Sequence, residues 1–259
     1  MPKFSANLSM LFNEFAFLER FAAAARGGFK GVEYAGPYDY PAEQIAGLLH
    51  RHGLRQVLFN MPAGNWVKGE RGIGCHPDRA GEFQDGVDTA IAYAKVLGNT
   101  QVNCLAGLLP QGVTREKAEE TFVGNLRFAA GELHKAGILL IAEPINCYDM
   151  PGFFLNRSDQ AIAIFDKVGS DNLKLQYDIY HMQRMEGELS LTIERLMQRI
   201  GHFQIAGNPG RNEPDTGEIN YPYLFALIDR LGFTGWIGAE YKPAKTTEEG
   251  LGWMKQWRQ

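Results

Sequence analysis

The sequence predicts an α/β protein, a single (β/α)8 TIM barrel that spans residues 1–259 as one domain. The length suits one barrel of roughly 250 residues, and no linker or change in composition divides the chain. Apolar segments alternate with helical patterns eight times, and eight units in 259 residues give about 32 residues per unit. A doubly wound open sheet would carry a glycine-rich phosphate fingerprint after its first strand, and Asn7-Leu-Ser-Met has none.

Each unit begins with a short apolar segment that predicts a buried strand. The predicted strands span residues 4–9, 31–34, 54–60, 101–105, 138–142, 173–177, 201–206 and 235–240. The fifth is the clearest, because five apolar residues lie between Gly137 and Pro144. An uninterrupted apolar run of this length is typical of a parallel strand that is covered on both faces.

Helical patterns follow the strands, with breaks of the expected kinds between them. The predicted helices span residues 15–26, 41–52, 77–97, 114–136, 158–168, 189–199, 221–231 and 246–257. Gly27 ends the first and Gly137 the fourth, while Pro41 and Thr114 suit helix starts. The loop at residues 61–77 is long for a compact domain, so it is a candidate lid whose Trp66, Lys68 and Arg71 could reach a ligand.

Oxygen-bearing side chains stand at or near the ends of the last four predicted strands. They are Glu143, Asp178, Gln204 and Glu240, each about one β/α unit after the one before it. Because the carboxyl ends of barrel strands share one mouth, we expect these four side chains to meet around one ion. A single such residue is more often a helix cap or a solvated residue, and Gln204 could simply bond a backbone group. Four in register are harder to explain in that way.

Carboxylate and amide oxygens are ligands for a hard divalent cation, which favours Mg2+ or Mn2+ over zinc. His181 follows Asp178 by three residues and could face the same cleft as a substrate ligand. Arg211, in the loop after the seventh strand, is a candidate for a substrate carboxylate, because guanidinium binds carboxylate in a bidentate manner. Lys242 is a similar candidate, and a solvated loop position is the alternative for both.

The composition limits the partners of the protein. A net charge of −4 and a pI near 5.9 argue against a nucleic-acid surface and favour small substrates. Three cysteines without a CxxC pair indicate neither a disulfide framework nor a zinc–thiolate site. The N-terminus lacks the pattern of a signal peptide, and no apolar run could span a membrane, so we expect a cytoplasmic protein. Assembly into a homo-oligomer is left open.

Six segments resemble the hydroxypyruvate isomerase family, and the resemblance covers essentially the whole chain. They are Asn7-Leu-Ser-Met-Leu-Phe, Ala142-Glu-Pro-Ile-Asn, Gln176-Tyr-Asp-Ile-Tyr-His-Met-Gln, His202-Phe-Gln-Ile-Ala-Gly, Glu218-Ile-Asn-Tyr and Gly238-Ala-Glu-Tyr-Lys-Pro. That family belongs to the xylose-isomerase-like barrels, which isomerise or epimerise small sugars. Its near relatives act on 2-oxo-tetronates.

The resemblance implies interconversion of hydroxypyruvate and 2-hydroxy-3-oxopropanoate (tartronate semialdehyde), a step of glyoxylate and carbohydrate metabolism, through a metal-stabilised enediolate. It implies a divalent metal at Glu143, Asp178, Gln204 and Glu240, with Glu143 and Glu240 also moving the proton. Which of these two is the acid and which the base stays open. His181 is implied as a hydrogen-bond donor to the substrate.

The same residues and the same barrel are compatible with other functions. A 2-oxo-tetronate isomerase or a ketose 3-epimerase would use the same barrel, although related epimerases are expected to carry a histidine where Gln204 stands. An abasic-site endonuclease of related fold needs several histidine ligands and a basic face, which six histidines and an acidic balance oppose. A barrel that binds a sugar or a metal without catalysis is the alternative outside the enzymes.

Overall fold

A computed structural model describes residues 1–257 and shows eight parallel strands that close into a barrel in the order of the chain. This confirms the predicted fold class. The strands are β1 Lys3–Asn7, β2 Gly31–Tyr34, β3 Arg55–Asn60, β4 Gln101–Cys104, β5 Leu139–Ala142, β6 Leu173–Asp178, β7 Ile200–Ile205 and β8 Trp236–Ala239. β1 pairs with β8 and closes the ring.

Helices surround the barrel and agree with the predicted pattern to within a few residues. They are α1 Arg20–Arg26, α2 Ala42–His52, α3 Ala80–Leu97, α4 Arg115–Lys135, α5 Ser158–Val168, α6 Ile179–Met185, α7 Leu189–Leu196, α8 Tyr221–Arg230 and α9 Thr247–Gly250. Short 3-10 turns replace the ends of several predicted helices, such as Phe17–Glu19 before α1 and Leu251–Trp257 after α9.

Helix α6 was not predicted, because it follows β6 without a connecting loop. Its first turn is held by the Asp178 side chain, whose Oδ1 accepts hydrogen bonds from the backbone N–H of Tyr180 at 2.8 Å and of His181 at 3.4 Å. A carboxylate in this position satisfies N–H groups that have no partner within the helix. The same cap places the His181 side chain next to the end of β6.

The strand register brings two of the predicted donors, Asp178 and Gln204, to one level of the barrel. Asp178 of β6 pairs with Gln204 of β7, and Gln204 pairs with Gly238 of β8, two residues before Glu240. An apolar group of Val57, Leu58 and Ile141, with Leu139 and Trp236 packed against it, forms a core separate from the larger one that includes the helices. The barrel therefore supplies a rigid base for the side chains at its mouth.

The loop at residues 61–77 is partly ordered by the barrel. An isolated bridge joins Gly72 to Ala106, and Gly72 has a φ of +115°. A Cβ at this position would lie 2.6 Å from the carbonyl oxygen of Leu105, so only glycine fits so close to the neighbouring chain. The predicted lid is therefore anchored at its C-terminal side, while Trp66–Lys68 forms a 3-10 turn near its middle.

No helix within residues 1–257 is both long enough and apolar enough to cross a membrane.

Candidate active site

A cleft of about 320 Å3 opens among the C-terminal ends of the strands. Six of the seven predicted site residues line it: Glu143, His181, Gln204, Arg211, Glu240 and Lys242. The seventh, Asp178, is completely buried and does not line the cleft. The C-terminal ends of β6 and β7, helix α6 and the segments that follow β5, β7 and β8 carry these residues to one end of the barrel.

Glu143, Asp178 and His181 form a compact, buried cluster in which one ligand atom from each lies within 4.8 Å of the others. His181 Nε2 is 3.8 Å from Glu143 Oε1 and 3.6 Å from Asp178 Oδ2. Its Nδ1 is 2.6 Å from Asn146 Nδ2, an amide donor, which leaves the ring proton on Nε2.

Two carboxylate oxygens of this cluster lack a hydrogen-bond partner within the described part of the chain. Glu143 Oε1 and Asp178 Oδ2 are buried and accept no hydrogen bond. Burying an unpaired carboxylate is costly, and a divalent cation is the group that would compensate two of them at once. The two carboxylates therefore fit a metal ion, and His181, with its proton on Nε2, lies beside them as a hydrogen-bond donor.

Gln204 and Glu240 flank the cluster and differ in their surroundings. The Gln204 amide is buried; its Oε1 accepts a hydrogen bond from Gln176 Nε2 at 2.6 Å, and its Nε2 donates to Glu33 Oε1 at 2.7 Å. An amide oxygen with one donor keeps a second lone pair for another partner. The Glu240 side chain is 20% exposed, and its Oε1 lies 3.6 Å from an Arg211 nitrogen.

Burial raises the pKa of three acidic side chains of the site, Glu143, Asp178 and Glu240. Burial, followed by the charges of Glu240 and Asp178, raises the pKa of Glu143 well above its ordinary value. Burial also raises the pKa of Asp178 to about 6 and that of Glu240 to about 8, although the Arg211 charge opposes both shifts. In the absence of a cation, Glu240 therefore favours its protonated form at neutral pH.

Arg211 reaches from its loop into the acidic cluster rather than into solvent. Its backbone has a φ of +55°, an uncommon conformation for a residue with a side chain. Its guanidinium lies 5.1 Å from the centre of the Tyr180 ring and 3.9 Å from Asp178 Oδ2, and its Nε is buried without a hydrogen-bond partner within residues 1–257. The Lys242 backbone N–H donates to the Arg211 carbonyl at 2.7 Å, and Lys242 itself is exposed at the rim.

Several supporting residues were missed by sequence reasoning. Asp149 Oδ2 accepts hydrogen bonds from the Tyr180 hydroxyl at 2.8 Å and from Asn146 at 3.1 Å, and Arg184 donates to Asp149 Oδ1 at 2.8 Å. This network holds the ring of Tyr180 beneath Arg211. Signals existed for Asn146 and Tyr180, which stand in two of the segments that carried the family resemblance, and none existed for Asp149 or Arg184.

The predicted lid contributes one aromatic side chain to the cleft. Trp66 lines it. The Arg71 guanidinium lies 4.5 Å from the centre of the Trp66 ring and donates to the Trp66 carbonyl at 3.2 Å. Arg71 therefore supports Trp66, and Lys68 belongs to the same 3-10 turn.

Known proteins are similar to this chain in sequence and in fold. A family model described as a xylose isomerase-like TIM barrel matches residues 21–257. Hydroxypyruvate isomerase of Escherichia coli (strain K12) is 55% identical over 258 residues, which cover 100% of both chains. A 2-oxo-tetronate isomerase of Cupriavidus necator is 49% identical over 255 residues, which cover 98% of both chains.

Solved structures repeat the fold. A crystal structure from Brucella melitensis, described as an AP endonuclease of family 2, is 46% identical with a TM-score of 0.98 over 100% of both chains. A structure of L-ribulose 3-epimerase is 24% identical with a TM-score of 0.76, and covers 100% of this chain and 88% of that one. The second likeness shows the barrel alone.

Proposed function

The chain belongs to the hydroxypyruvate isomerase family of xylose isomerase-like TIM barrels and is an isomerase, and we propose that it interconverts hydroxypyruvate and 2-hydroxy-3-oxopropanoate. One observation carries this proposal: two glutamates and one under-bonded arginine, Glu143, Glu240 and Arg211, line the same small cleft. An acid–base pair beside an anion-binding group is what a small 2-oxo acid requires.

Glu143, Asp178, Gln204 and Glu240 are the residues that would hold Mg2+ or Mn2+ in this proposal. The two uncompensated carboxylate oxygens support such a site. A bound cation would supply Lewis acidity towards the adjacent oxygens of the substrate. Asp178 also caps helix α6, so the same side chain would fix His181 relative to the ion.

The reaction moves a hydrogen from C3 of hydroxypyruvate to C2, and a second proton passes between the two oxygens. Removal of the C3 proton leaves an enediolate, which is reprotonated at C2. Glu143 and Glu240 would take and return this proton, either by dividing the two roles or by one of them serving in both. Burial raises the pKa of both carboxyl groups in the cation-free site, and a bound cation would lower it again and so favour the carboxylate form that accepts a proton.

His181 would donate a hydrogen bond to a substrate oxygen. Burial lowers the pKa of its ring well below the ordinary value, and the nearby Arg211 charge adds to this, so the ring is neutral. The Asn146 amide next to Nδ1 keeps the single proton on Nε2, which faces the acidic cluster. A neutral donor in a fixed tautomer can stabilise negative charge on oxygen without releasing a proton.

The test of this function combines chelation with a panel of substrates. Dialysis against EDTA should abolish isomerisation of hydroxypyruvate, and added Mg2+ or Mn2+ should restore it. Hydroxypyruvate should be turned over with a higher kcat/KM than a four-carbon 2-oxo-tetronate or a five- or six-carbon ketose. Full turnover by protein shown to hold no metal would contradict the metal site, and a preference for the four-carbon acid would contradict the substrate.

A 2-oxo-tetronate isomerase is the second candidate, since a relative of that name is 49% identical over almost the whole chain. The endonuclease description of the Brucella melitensis structure finds less support in this chain. His181 is the one histidine in the buried donor cluster found within residues 1–257, and the net charge is −4. A DNA-cleaving zinc cluster would need more histidine ligands, and a phosphate-binding face would need more lysine and arginine.

We expect Arg211 to bind the substrate carboxylate. The Arg211→Gln variant should raise KM for hydroxypyruvate roughly 10- to 100-fold, because a charged hydrogen bond contributes about 1.5–3 kcal/mol. The Arg211→Lys variant should recover only part of this loss, since an ammonium cannot bind in a bidentate manner. Lys242→Gln is the matched control at the rim, with a smaller rise in KM. Steady-state kinetics of the three variants checks this, and an unchanged KM in Arg211→Gln would exclude the role.

A further inference from the structure

We propose that Glu33, which lies inside the barrel, is a positioning residue that orients the Gln204 amide so that the amide oxygen is available to the metal site. This inference rests on the proposed function, because it takes Gln204 to be a metal ligand. Glu33 is fully buried on β2 and belongs to none of the strands that carry the four donors. It acts through Gln204 and is not itself a ligand in the proposed set.

The hydrogen bonds around Glu33 fix which end of the Gln204 amide faces it. Glu33 Oε1 accepts from Gln204 Nε2 at 2.7 Å and from Asn7 Nδ2 at 3.3 Å. Glu33 Oε2 accepts from Ser5 Oγ at 2.7 Å and lies 2.9 Å from His202 Nε2. A carboxylate has no hydrogen to give, so Gln204 must present its NH2 group to Glu33.

The consequence appears at the other end of the amide. Gln204 Oε1 points away from Glu33 and towards Gln176 of β6, the strand that carries Asp178. A reversed amide would place its NH2 group there, and an N–H group repels a cation and cannot ligate one. The orientation of a single amide therefore decides whether position 204 can contribute to the site.

The Glu33 carboxylate occupies space that any side chain at position 238 would need. Gly238 of β8 lies against it, and a Cβ at this position would be 2.2 Å from Glu33 Oε1. Buried charged groups are seldom retained for stability, because well-packed apolar residues are often as stable or more so. A glycine that clears space for Glu33, two residues before Glu240, points to a role in the site.

The Glu33→Gln variant should reverse this orientation. The amide at position 33 would keep its oxygen for His202 and Ser5, because the Gln101 amide nitrogen lies 3.4 Å from His202 Nδ1 and so leaves the ring proton on Nε2. The cost is the weaker 3.3 Å contact with Asn7 Nδ2. Its NH2 group would then face position 204, and Gln204 would turn its oxygen inward to accept that hydrogen bond. The variant preserves the size of the side chain but removes the oxygen from the cleft.

The test measures Mn2+ binding directly, from the electron paramagnetic resonance signal of free Mn2+ at increasing protein concentration. Glu33→Gln should weaken Mn2+ binding roughly 10- to 100-fold, as is typical when a partner of a metal ligand is lost. Ser5→Ala is the matched control, since it removes a donor to Glu33 Oε2 but leaves the bond to Gln204 intact. Its Mn2+ affinity should change less than about threefold.

A second variant separates orientation from general loss of structure. In the double variant Glu33→Gln and Gln204→Glu, the amide at 33 donates to a carboxylate at 204, which again offers an oxygen to the cleft. It should bind Mn2+ with at least the affinity of the parent. It should also melt at a higher temperature than Gln204→Glu alone, where two carboxylates meet at a distance of one hydrogen bond.

Each outcome decides a different question. Parent affinity in Glu33→Gln, or no recovery in the double variant, would overturn the positioning role and leave the proposed isomerase intact. Absence of Mn2+ binding by the parent protein would overturn the metal site itself and this inference with it. If Glu33→Gln does not fold, as judged by circular dichroism, the double variant decides the matter: it must fold and bind Mn2+.

Discussion

Replacement of Glu143 or Glu240 by glutamine should lower turnover of hydroxypyruvate by roughly 10²- to 10⁴-fold, the range that positioned acid–base groups contribute. Both carboxyl groups line the cleft, and neither amide can take up or release a proton. The assay follows the aldehyde product and, in D2O, the incorporation of deuterium at carbon. If the two residues divide the roles, one variant should still exchange the C3 hydrogen of hydroxypyruvate without forming product.

Glu43→Gln is a suitable control for this pair, because Glu43 is an exposed glutamate in the first turn of α2. It should keep parental turnover and solvent exchange. Circular dichroism and Mn2+ binding of each variant separate loss of the proton-transfer group from loss of the fold or of the metal. Full turnover together with full solvent exchange in both Glu143→Gln and Glu240→Gln would disprove the two-glutamate scheme.

Chelated protein should become less stable as the pH rises from about 5 to 8. Burial raises the folded-state pKa of Asp178 from 3.8 to about 6 and that of Glu240 from 4.5 to about 8. A group with a raised pKa in the folded state stabilises the fold below its unfolded pKa, and this contribution is lost as the pH rises through the folded value. We expect Tm in EDTA to fall by roughly 5 to 10 °C over this range, which corresponds to a few kcal/mol.

Two comparisons identify the source of this loss. Glu240→Gln cannot ionise at position 240, so its Tm in EDTA should depend less on pH than that of the parent. Saturating Mn2+ should raise Tm most at pH 8, because the cation is bound by the ionised carboxylates. A Tm in EDTA that rises between pH 5 and 8, or one that is equally flat in the parent and in Glu240→Gln, would contradict the raised pKa of this group.

The barrel could be predicted from the sequence because strand and helix patterns alternate with little ambiguity. The apolar run between Gly137 and Pro144 falls at the observed β5, Leu139–Ala142. Helix α6 was missed because it starts directly after Asp178, the last residue of β6, and the Asp178 side chain caps its first turn. A helix of seven residues is too short to show a clear periodicity in the sequence, and its cap, Asp178, was interpreted as a site residue only.

The four candidate ligands could be placed because strand ends of a barrel share one mouth, and the structure brings them to one cleft. The burial of the Arg211 side chain could not be predicted, because it depends on a left-handed backbone at that residue and on contact with Tyr180. Glu33 and His202 are polar residues within short strands, and only closure of the barrel brings their side chains together across its interior. Contacts between distant strands carry no local signal.

Closure of the ring has a consequence for synthesis of the protein. β1 pairs with β8, and the backbone N–H of Phe12 donates to the Thr247 hydroxyl at 2.6 Å. On the ribosome, β1 therefore keeps an unpaired edge until almost the whole chain has emerged, and exposed edges of this kind invite pairing between chains. The final seam, and with it the position of Glu240 just after β8, forms only once β8 has been synthesised.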